Sequence, residues 1–250
     1  MSASWDKTLR LTSPSGPPAS ASLRVPVSDK VYALAQAQHR IVAAMANRQV
    51  WIWDARMLSS ALDKRSHDED TAGTKPEQRR ESSLKFMTRS LKCMPNSLGY
   101  ATTSIEGRVA VDFFDPSPAQ QEKKYAFKCH RQVVDGVDTV FPVLGLAFHP
   151  LYVPAPTAVV QEANPDAVRH GTFATGGGDG TVSLWDPFAK KRLRQFPKYP
   201  APVSSLEFSK DTGRWFAVAF SEDESLGRDR GGGHGIWLRE CGDECKPKSK

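Results

Sequence analysis

One short pattern recurs along the chain and limits its possible folds more than any other feature. Small residues lead into a polar or glycine turn, then an alternating apolar run, usually ending on an aromatic residue followed by aspartate. The copies occupy residues 2–12, 44–56, 103–116 and 175–187, with a weaker one at 231–240. Glu106-Gly107 and Asp179-Gly180 supply the backbone freedom that a tight turn requires, and the alternation makes one face of the outgoing strand apolar. Each copy therefore predicts a β-hairpin.

Other alternating segments flank these hairpins. Upstream strands are predicted at 31–34, 90–94, 143–148 and 203–208, and fourth strands at, for example, 124–128 and 192–196. No long window shows helical periodicity. Units of four strands, with Trp53-Asp54 and Trp185-Asp186 closing two of the third strands, are typical of a WD-repeat β-propeller. The sequence therefore predicts an all-β fold, with Trp185 in its core and Asp179 and Asp186 in turns or at strand ends.

The spacing of the repeats predicts the domain organisation. Third strands ending at Thr12 and Asp54 are one blade apart, roughly 40 to 45 residues, but the next two intervals are longer. Insertions at 62–78 and 152–168 account for the excess, and their composition predicts surface loops. We expect a partial propeller over 1–240 and a polar tail over 241–250. About four and a half blades of a presumed seven are present, so an N-terminal truncation and marginal stability are expected.

The positive charge of the chain is concentrated in two segments. Residues 123–131 carry four basic residues and residues 187–198 carry five, against a net charge of +6 for the whole chain. Local basic patches favour an acidic partner over nucleic acid, although lysine-rich strand edges also prevent edge pairing. No apolar stretch reaches the roughly 18 residues that span a bilayer, so we expect no membrane partner.

Two alternatives would give the chain a catalytic or metal site. Cys129-His130 resembles a nucleophile and base, but adjacent strand residues face opposite sides of a sheet. Cys241 and Cys245, near His234, form a single C-x3-C pair, which is a weak indication of zinc. We therefore expect no catalytic residues, no metal and no cofactor.

Several longer segments resemble a known family. Residues 104–131, together with 81–90, 141–150 and 171–196, closely resemble the WD-repeat member of the Bub family of spindle-checkpoint proteins. The resemblance implies a non-enzymatic, seven-bladed adaptor in the nucleus, at kinetochores in mitosis. Its partners would be the short GLEBS segment of a checkpoint kinase or pseudokinase and threonine-phosphorylated Met-Glu-Leu-Thr repeats of the kinetochore scaffold. The alternative is the related WD-repeat mRNA-export factor, which docks on a nucleoporin GLEBS segment and RNA and shares the SIEGRVA and FKCHR elements.

The same resemblance implies roles for individual residues. Trp5 and Arg131 match positions that contact the GLEBS segment, and Arg169 and Lys191 match positions that bind the phosphothreonine. Leu151 is the alternative match for Arg169. Strand order predicts Trp5 and Arg131 at one end of the blades and Arg169 and Lys191 at the other. A supporting basic patch is expected from Lys128, Lys190, Arg192 and Arg194.

Overall fold

The computed structural model describes residues 1–12, 22–63, 74–150, 171–210, 213–222, 233–242 and Cys245. These residues form five antiparallel sheets and one separate hairpin. The first sheet contains β1 (Ser2–Ser4), β2 (Thr8–Thr12) and β3 (Ser22–Pro26). The second contains β4 (Val31–Ala37), β5 (Arg40–Met45), β6 (Gln49–Asp54) and β7 (Gln78–Glu81), with helix α1 (Ala55–Asp63) between its last two strands. The third contains β8 (Thr88–Cys93), β9 (Gly99–Ser104), β10 (Arg108–Phe113) and β11 (Tyr125–Lys128), with α2 (Pro118–Gln121) before β11.

A hairpin of β12 (Arg131–Val134) and β13 (Val137–Val140) follows the third sheet. The fourth sheet contains β14 (Val143–Phe148), β15 (Phe173–Gly177), β16 (Val182–Asp186) and β17 (Lys191–Gln195). The fifth contains β18 (Val203–Phe208), β19 (Trp215–Phe220) and β20 (Gly235–Glu240). This succession of antiparallel units confirms the predicted all-β WD-repeat fold.

The sheets follow one another along an arc. The first strands β4, β8, β14 and β18 pack side by side in chain order, and β1 packs against β4. Lys92 of β8 reaches Glu207 of β18, two sheets further on, with an Nζ to Oε2 distance of 2.6 Å. The first strands therefore curve around a common axis, as in a propeller. Within the described residues, no strand of the fifth sheet pairs with the first, so the array is open.

The core lies between successive sheets rather than within any one of them. In β6, Val50 and Ile52 pack toward the third sheet, whereas Trp51 and Trp53 pack toward the first. Because both faces of an inner sheet are covered, its central strands, such as β5 and β6, are buried at nearly every position, and the period-2 pattern weakens there. The fifth sheet lacks such a cover on one side, and Ile236, the most exposed of its apolar residues together with Leu238, has 69% of its surface exposed.

One irregularity recurs in four of the sheets. The pairing of the first strand with the second shifts by one residue near its start, which leaves a bulged residue in each of four strands: Tyr32, Arg89, Leu144 and Ser204. A β-bulge re-aims the side chain that it carries. The repeat therefore extends to backbone detail, and it places one bulged residue per sheet near the axis of the arc.

The aspartates at or just after the ends of the third strands have a common structural role. Each accepts a hydrogen bond from the backbone N–H two residues later: Asp54 from Arg56 at 2.8 Å and Asp186 from Phe188 at 2.8 Å. Asp115 does the same for Ser117. This Asx-type turn redirects the chain out of the third strand, and it confirms the strand-end role predicted for Asp186.

Some features differ from the sequence-based expectations. Helix α1 was not predicted, and it occupies the start of the 62–78 insertion through Asp63; residues 64–73 and the 152–168 insertion lie outside the described residues. Cys241 and Cys245 form a disulfide and are buried in the last core cluster, so this part of the expected polar tail packs onto the fold. No described helix is long and apolar enough to span a bilayer.

Candidate functional site

The sheets share two ends, which carry different turns. The upper end carries the turns between second and third strands, which include Asn47, Glu106 and Asp179. In the three-stranded first sheet, β1 and β2 match the second and third strands of the repeat, so the turn that contains Trp5 is also at this end. The lower end carries the turns between first and second strands and the connections from third to fourth strands. Contacts between sheets confirm the common orientation, because Tyr125, at the lower end of the third sheet, donates its hydroxyl to the Pro187 carbonyl at the lower end of the fourth, at 2.8 Å.

Trp5 lies at the upper end, in the turn between β1 and β2. Its side chain is 66% exposed. The indole meets the ring of Tyr32 edge-on at 6.3 Å, and the Lys30 ammonium lies 5.7 Å from its centre. An exposed tryptophan held by an aromatic edge and a cation is a pre-oriented apolar platform.

Arg131 also lies at the upper end, where the chain leaves the third sheet. Its Nη2 donates to the Glu106 carbonyl at 3.1 Å, which fixes the guanidinium beside the β9–β10 turn. The Nε atom is buried and has no hydrogen-bond partner among the described residues. The structure thus places Trp5 and Arg131 at the same end, as strand order predicts, with the second sheet between them. With a spacing on the order of 10 Å per sheet, a ligand touching both must extend roughly 20 Å.

The bulged residues add two side chains that the sequence analysis did not identify. Tyr32 supports Trp5, and Arg89 is exposed at the upper end of β8, without a hydrogen bond or ion pair in the described part of the chain. Arg89 therefore offers a further exposed cation at the upper end, in the sheet that the chain leaves at Arg131. The bulge depends on strand pairing, which no local sequence signal reports.

Lys190 and Lys191 lie at the lower end of the fourth sheet. Lys191 begins β17 directly opposite Asp186, and Lys190 has a positive φ of 54° in the preceding turn. The Lys190 ammonium lies 4.9 Å from the centre of the Tyr125 ring. Both side chains are exposed, and neither forms an ion pair within the described residues. The turn therefore presents two adjacent cations to solvent.

The remaining residues of the expected patch are distributed differently. Arg192 and Arg194 continue along β17, the outer strand of its sheet, and Arg194 lies 5.7 Å from the Phe196 ring. Lys128 ends β11 opposite Arg108, so it belongs to the upper end and is separated from the two lysines. Since β11 and β17 are both edge strands, protection against edge pairing accounts for these three charges. Arg169 and its alternative Leu151 lie outside the described residues.

Cys129 and His130 form no catalytic dyad. Burial raises the pKa of the Cys129 thiol to about 12, so it is protonated at neutral pH. His130 instead lies in a buried network, in which Nδ1 is 2.9 Å from Asp179 Oδ1 and Nε2 is 2.9 Å from Thr175 Oγ1. The Trp185 indole donates to the same Thr175 hydroxyl at 2.9 Å. Trp185 is half-buried, packed at the margin of the core rather than fully inside it.

The pKa of Asp179 reflects two opposing effects. Burial raises it, but hydrogen bonds from His130 and Thr181 outweigh burial and hold the pKa of Asp179 below its usual value. The carboxylate is therefore a charged acceptor that joins the third and fourth sheets, which is a structural role. Cys241 and Cys245 are bonded to each other, so neither provides a free thiolate for zinc.

A polar cavity of about 210 Å³ opens at the lower end of the second sheet. Its charged side chains pair with one another: Arg40 with Glu77 at 3.1 Å, and Arg56 with Asp54 at 2.5 Å. The Arg56 hydrogen bond lowers the pKa of Asp54 to about 2. With its charges mutually neutralised, this cavity has little attraction for an anionic or cationic ligand.

Comparison with known proteins agrees with this architecture. The family described as WD domain, G-beta repeat matches residues 164–186. The mitotic checkpoint protein BUB3.1 of Arabidopsis thaliana is 44% identical over 253 residues, covering 99% of this chain and 64% of the relative. The mitotic checkpoint protein bub3 of Dictyostelium discoideum is 41% identical over 181 residues, covering 72% of this chain and 44% of the relative. A Poly(A)+ RNA export protein of Schizosaccharomyces pombe is 34% identical over 226 residues, covering 90% of this chain and 53% of the relative.

The chain thus spans between 44% and 64% of the length of these relatives. Their names describe checkpoint and RNA-export proteins rather than enzymes. The match to checkpoint proteins confirms the resemblance predicted from residues 104–131 and the neighbouring segments. The chain is therefore a WD-repeat protein that is similar, over most of its length, to the Bub3 mitotic checkpoint proteins.

Proposed function

We propose that this chain is a non-enzymatic adaptor of the spindle assembly checkpoint. Its upper end binds the GLEBS segment of a checkpoint kinase or pseudokinase, and its lower end binds phosphorylated Met-Glu-Leu-Thr repeats of the kinetochore scaffold. The proposal places the protein in the nucleus and, in mitosis, at kinetochores. Similarity to checkpoint proteins of several organisms supports this function over other roles of WD-repeat proteins.

The main support for the proposal is that two kinds of exposed side chain lie at opposite ends of the sheets. At the upper end, the Trp5 platform, Arg89 and Arg131 fit an extended segment with apolar and acidic residues. At the lower end, Lys190 and Lys191 fit a phosphate, which carries a charge of about −1.5 to −2 at neutral pH. Two peptides can therefore bind without competing for the same surface.

Fluorescence anisotropy with labelled Met-Glu-Leu-Thr peptides tests the lower end. We expect the whole chain to bind the threonine-phosphorylated peptide at least about tenfold more tightly than the unphosphorylated one, since each charge-assisted contact contributes on the order of 1.4 kcal/mol or more. Lys190→Ala with Lys191→Ala should remove most of the difference. The matched control is Lys85→Ala, because Lys85 is exposed and is not one of the candidate binding residues at either end. Equal affinity for both peptides contradicts the proposal.

The alternative function is mRNA export, with a nucleoporin GLEBS segment and RNA as partners. Similarity to the Poly(A)+ RNA export protein and the exposed basic edge of β17 favour it. RNA binding that weakens steeply with salt, and is lost on neutralising Lys190, Lys191 and Arg192, would support this function. RNA affinity that does not depend on these charges would exclude a role for this edge.

A further inference from the structure

The β12–β13 hairpin begins with Arg131 at the upper end and exposes apolar residues. Asp135 and Gly136 form its turn, with φ of 51° and 77°, and within the described residues it pairs with no other sheet. Val133 has 73% of its surface exposed, the largest fraction among the large apolar residues described, and Val137 has 64%. An exposed valine in a strand either packs against a neighbour across the hairpin or is available to contact a partner.

Stability of the hairpin explains only part of this pattern. Val134 and Val137 lie directly opposite each other next to the turn, where a β-branched pair stabilises a hairpin. Val133 lies opposite Asp138, which gives it no apolar partner across the strands. Its exposure is therefore not accounted for by the hairpin.

The two faces of the hairpin meet different turns. Directly opposite residues share a face, so one face carries Arg131, Val133 and Val140, and the other carries Val134 and Val137. Arg131 bonds to the Glu106 carbonyl, and Val140 Cγ1 lies 3.0 Å from where a Cβ on Gly107 would be. The first face is therefore directed toward the β9–β10 turn, which also exposes Ile105.

The base of the hairpin is held from both sides. On the second face, the Gln132 amide donates to Asp179 Oδ2 at 3.3 Å. The backbone bond from Phe141 N–H to the His130 carbonyl, at 3.0 Å, closes the base of the hairpin. A two-stranded hairpin alone is only marginally stable, so these anchors keep it in place. A surface that is already ordered loses little entropy when a ligand binds to it.

We propose that the segment docking on Arg131 also covers Val133, with an acidic side chain on the guanidinium and a neighbouring apolar side chain on the valine. This inference rests on the proposed GLEBS-binding function. Continuity with Arg131 favours this occupant, because its guanidinium bonds to the Glu106 carbonyl and forms no ion pair with any described carboxylate. Asp135 and Asp138 on the same hairpin disfavour polyanions such as nucleic acid or an acidic lipid surface, and they require that the docked segment place its acidic side chain on Arg131 and an uncharged one on Val133, opposite Asp138.

Calorimetric titration of a synthetic GLEBS peptide into the whole chain tests the inference. Val133→Thr keeps the branched shape but replaces a methyl group with a hydroxyl, and we expect it to weaken binding about fourfold or more. Val137→Thr, the same change on the opposite face, is the matched control and should alter affinity less than about twofold. Thermal melting of each variant checks that the fold is retained.

A double-mutant cycle identifies the contact itself. The second change is made in the peptide, by exchanging the apolar residues next to its acidic residues for serine. We expect the effects of Val133→Thr and of the peptide change to be non-additive, because both remove the same contact. Additive effects, or an unchanged affinity for Val133→Thr, overturn the inference.

The outcome also separates this inference from the proposed function. If the wild-type chain binds the peptide, and Arg131→Ala weakens binding while Val133→Thr does not, the docking function stands and the role of the hairpin is wrong. If the wild-type chain does not bind the peptide, both are wrong. If Val133→Thr only dissociates dimers of the chain in sedimentation experiments, a second copy covers the hairpin and the inference is overturned.

Discussion

The imidazole of His130 and the carboxylate of Asp179 lie 2.9 Å apart, buried between the third and fourth sheets. His130 follows the last strand of one sheet, and Asp179 lies in the upper turn of the next. Asp179 also accepts hydrogen bonds from the backbone and hydroxyl of Thr181 at 3.0 and 2.9 Å. One carboxylate therefore fixes both a turn and the junction of two sheets beneath the hairpin.

Replacing Asp179 should destabilise the fold. Asp179→Ala removes the carboxylate acceptor of buried His130 and of the Thr181 N–H, so we expect the free energy of unfolding to fall by about 2–4 kcal/mol. Urea unfolding followed by tryptophan fluorescence measures the change. Asp138→Ala, on the exposed part of the hairpin, is the control and should change it by less than about 0.5 kcal/mol. A loss as small as that of the control would show that the network contributes little.

The lowered pKa of Asp179 predicts how stability depends on acid. Because its pKa in the folded state is below the ordinary value of 3.8, its contribution is fully present above that value and is lost as the pH falls toward the folded-state pKa. The difference in melting temperature between the wild type and Asp179→Asn should therefore shrink as the pH falls below about 4. A difference that stays constant from pH 6 to 3 would argue against a charged Asp179 in the folded state.

Cys129 should be chemically inert in the native chain. Burial raises the pKa of its thiol, and that of Cys93, to about 12, and only the thiolate reacts. We expect neither thiol to be alkylated by iodoacetamide at pH 8 unless denaturant is added, as mass spectrometry would detect. Rapid native labelling of Cys129 that is lost in His130→Ala would instead revive a nucleophile and base pair.

The open edge of β20 should promote self-association. Ile236 and Leu238 are exposed on the last strand of the described array, where an unpaired edge can accept another strand. Ile236→Lys should reduce light scattering by the purified chain at micromolar concentration. Phe188→Lys, an exposed apolar residue in a turn, tests whether added charge alone has this effect. Similar behaviour of the two variants would show that the edge is not responsible.

The sequence predicted the repeated strands better than the features between them. β14 and β18 begin and end where their alternation does, at Val143–Phe148 and Val203–Phe208. Helix α1 was missed because its nine residues bury only Leu58, which leaves too short a stripe to recognise beside a polar insertion. The sequence also gave no sign of the bulge at Arg89 or of the anchoring of the hairpin, because both depend on contacts between strands that are distant in the chain.

The candidate site was only partly predictable for a related reason. Strand order places Trp5 and Arg131 at one end and Lys191 at the other, and the structure has this arrangement. Lys128 was grouped with Lys191 by composition, but the register of β11 moves it to the opposite end. Charge counts along a sequence do not report which end of a strand a residue occupies.

Simultaneous binding of two peptides tests the central claim most directly. A labelled GLEBS peptide is titrated with the chain in the absence and presence of a saturating phosphorylated Met-Glu-Leu-Thr peptide. Binding at opposite ends predicts the same GLEBS affinity, within about twofold, in both titrations. The variant with Trp5→Ala and Arg131→Ala should lose at least about tenfold in GLEBS affinity. The variant with Lys190→Ala and Lys191→Ala should show little change in GLEBS affinity. Displacement of one peptide by the other, or loss of GLEBS binding in the lysine variant, would contradict an adaptor with two separate binding ends.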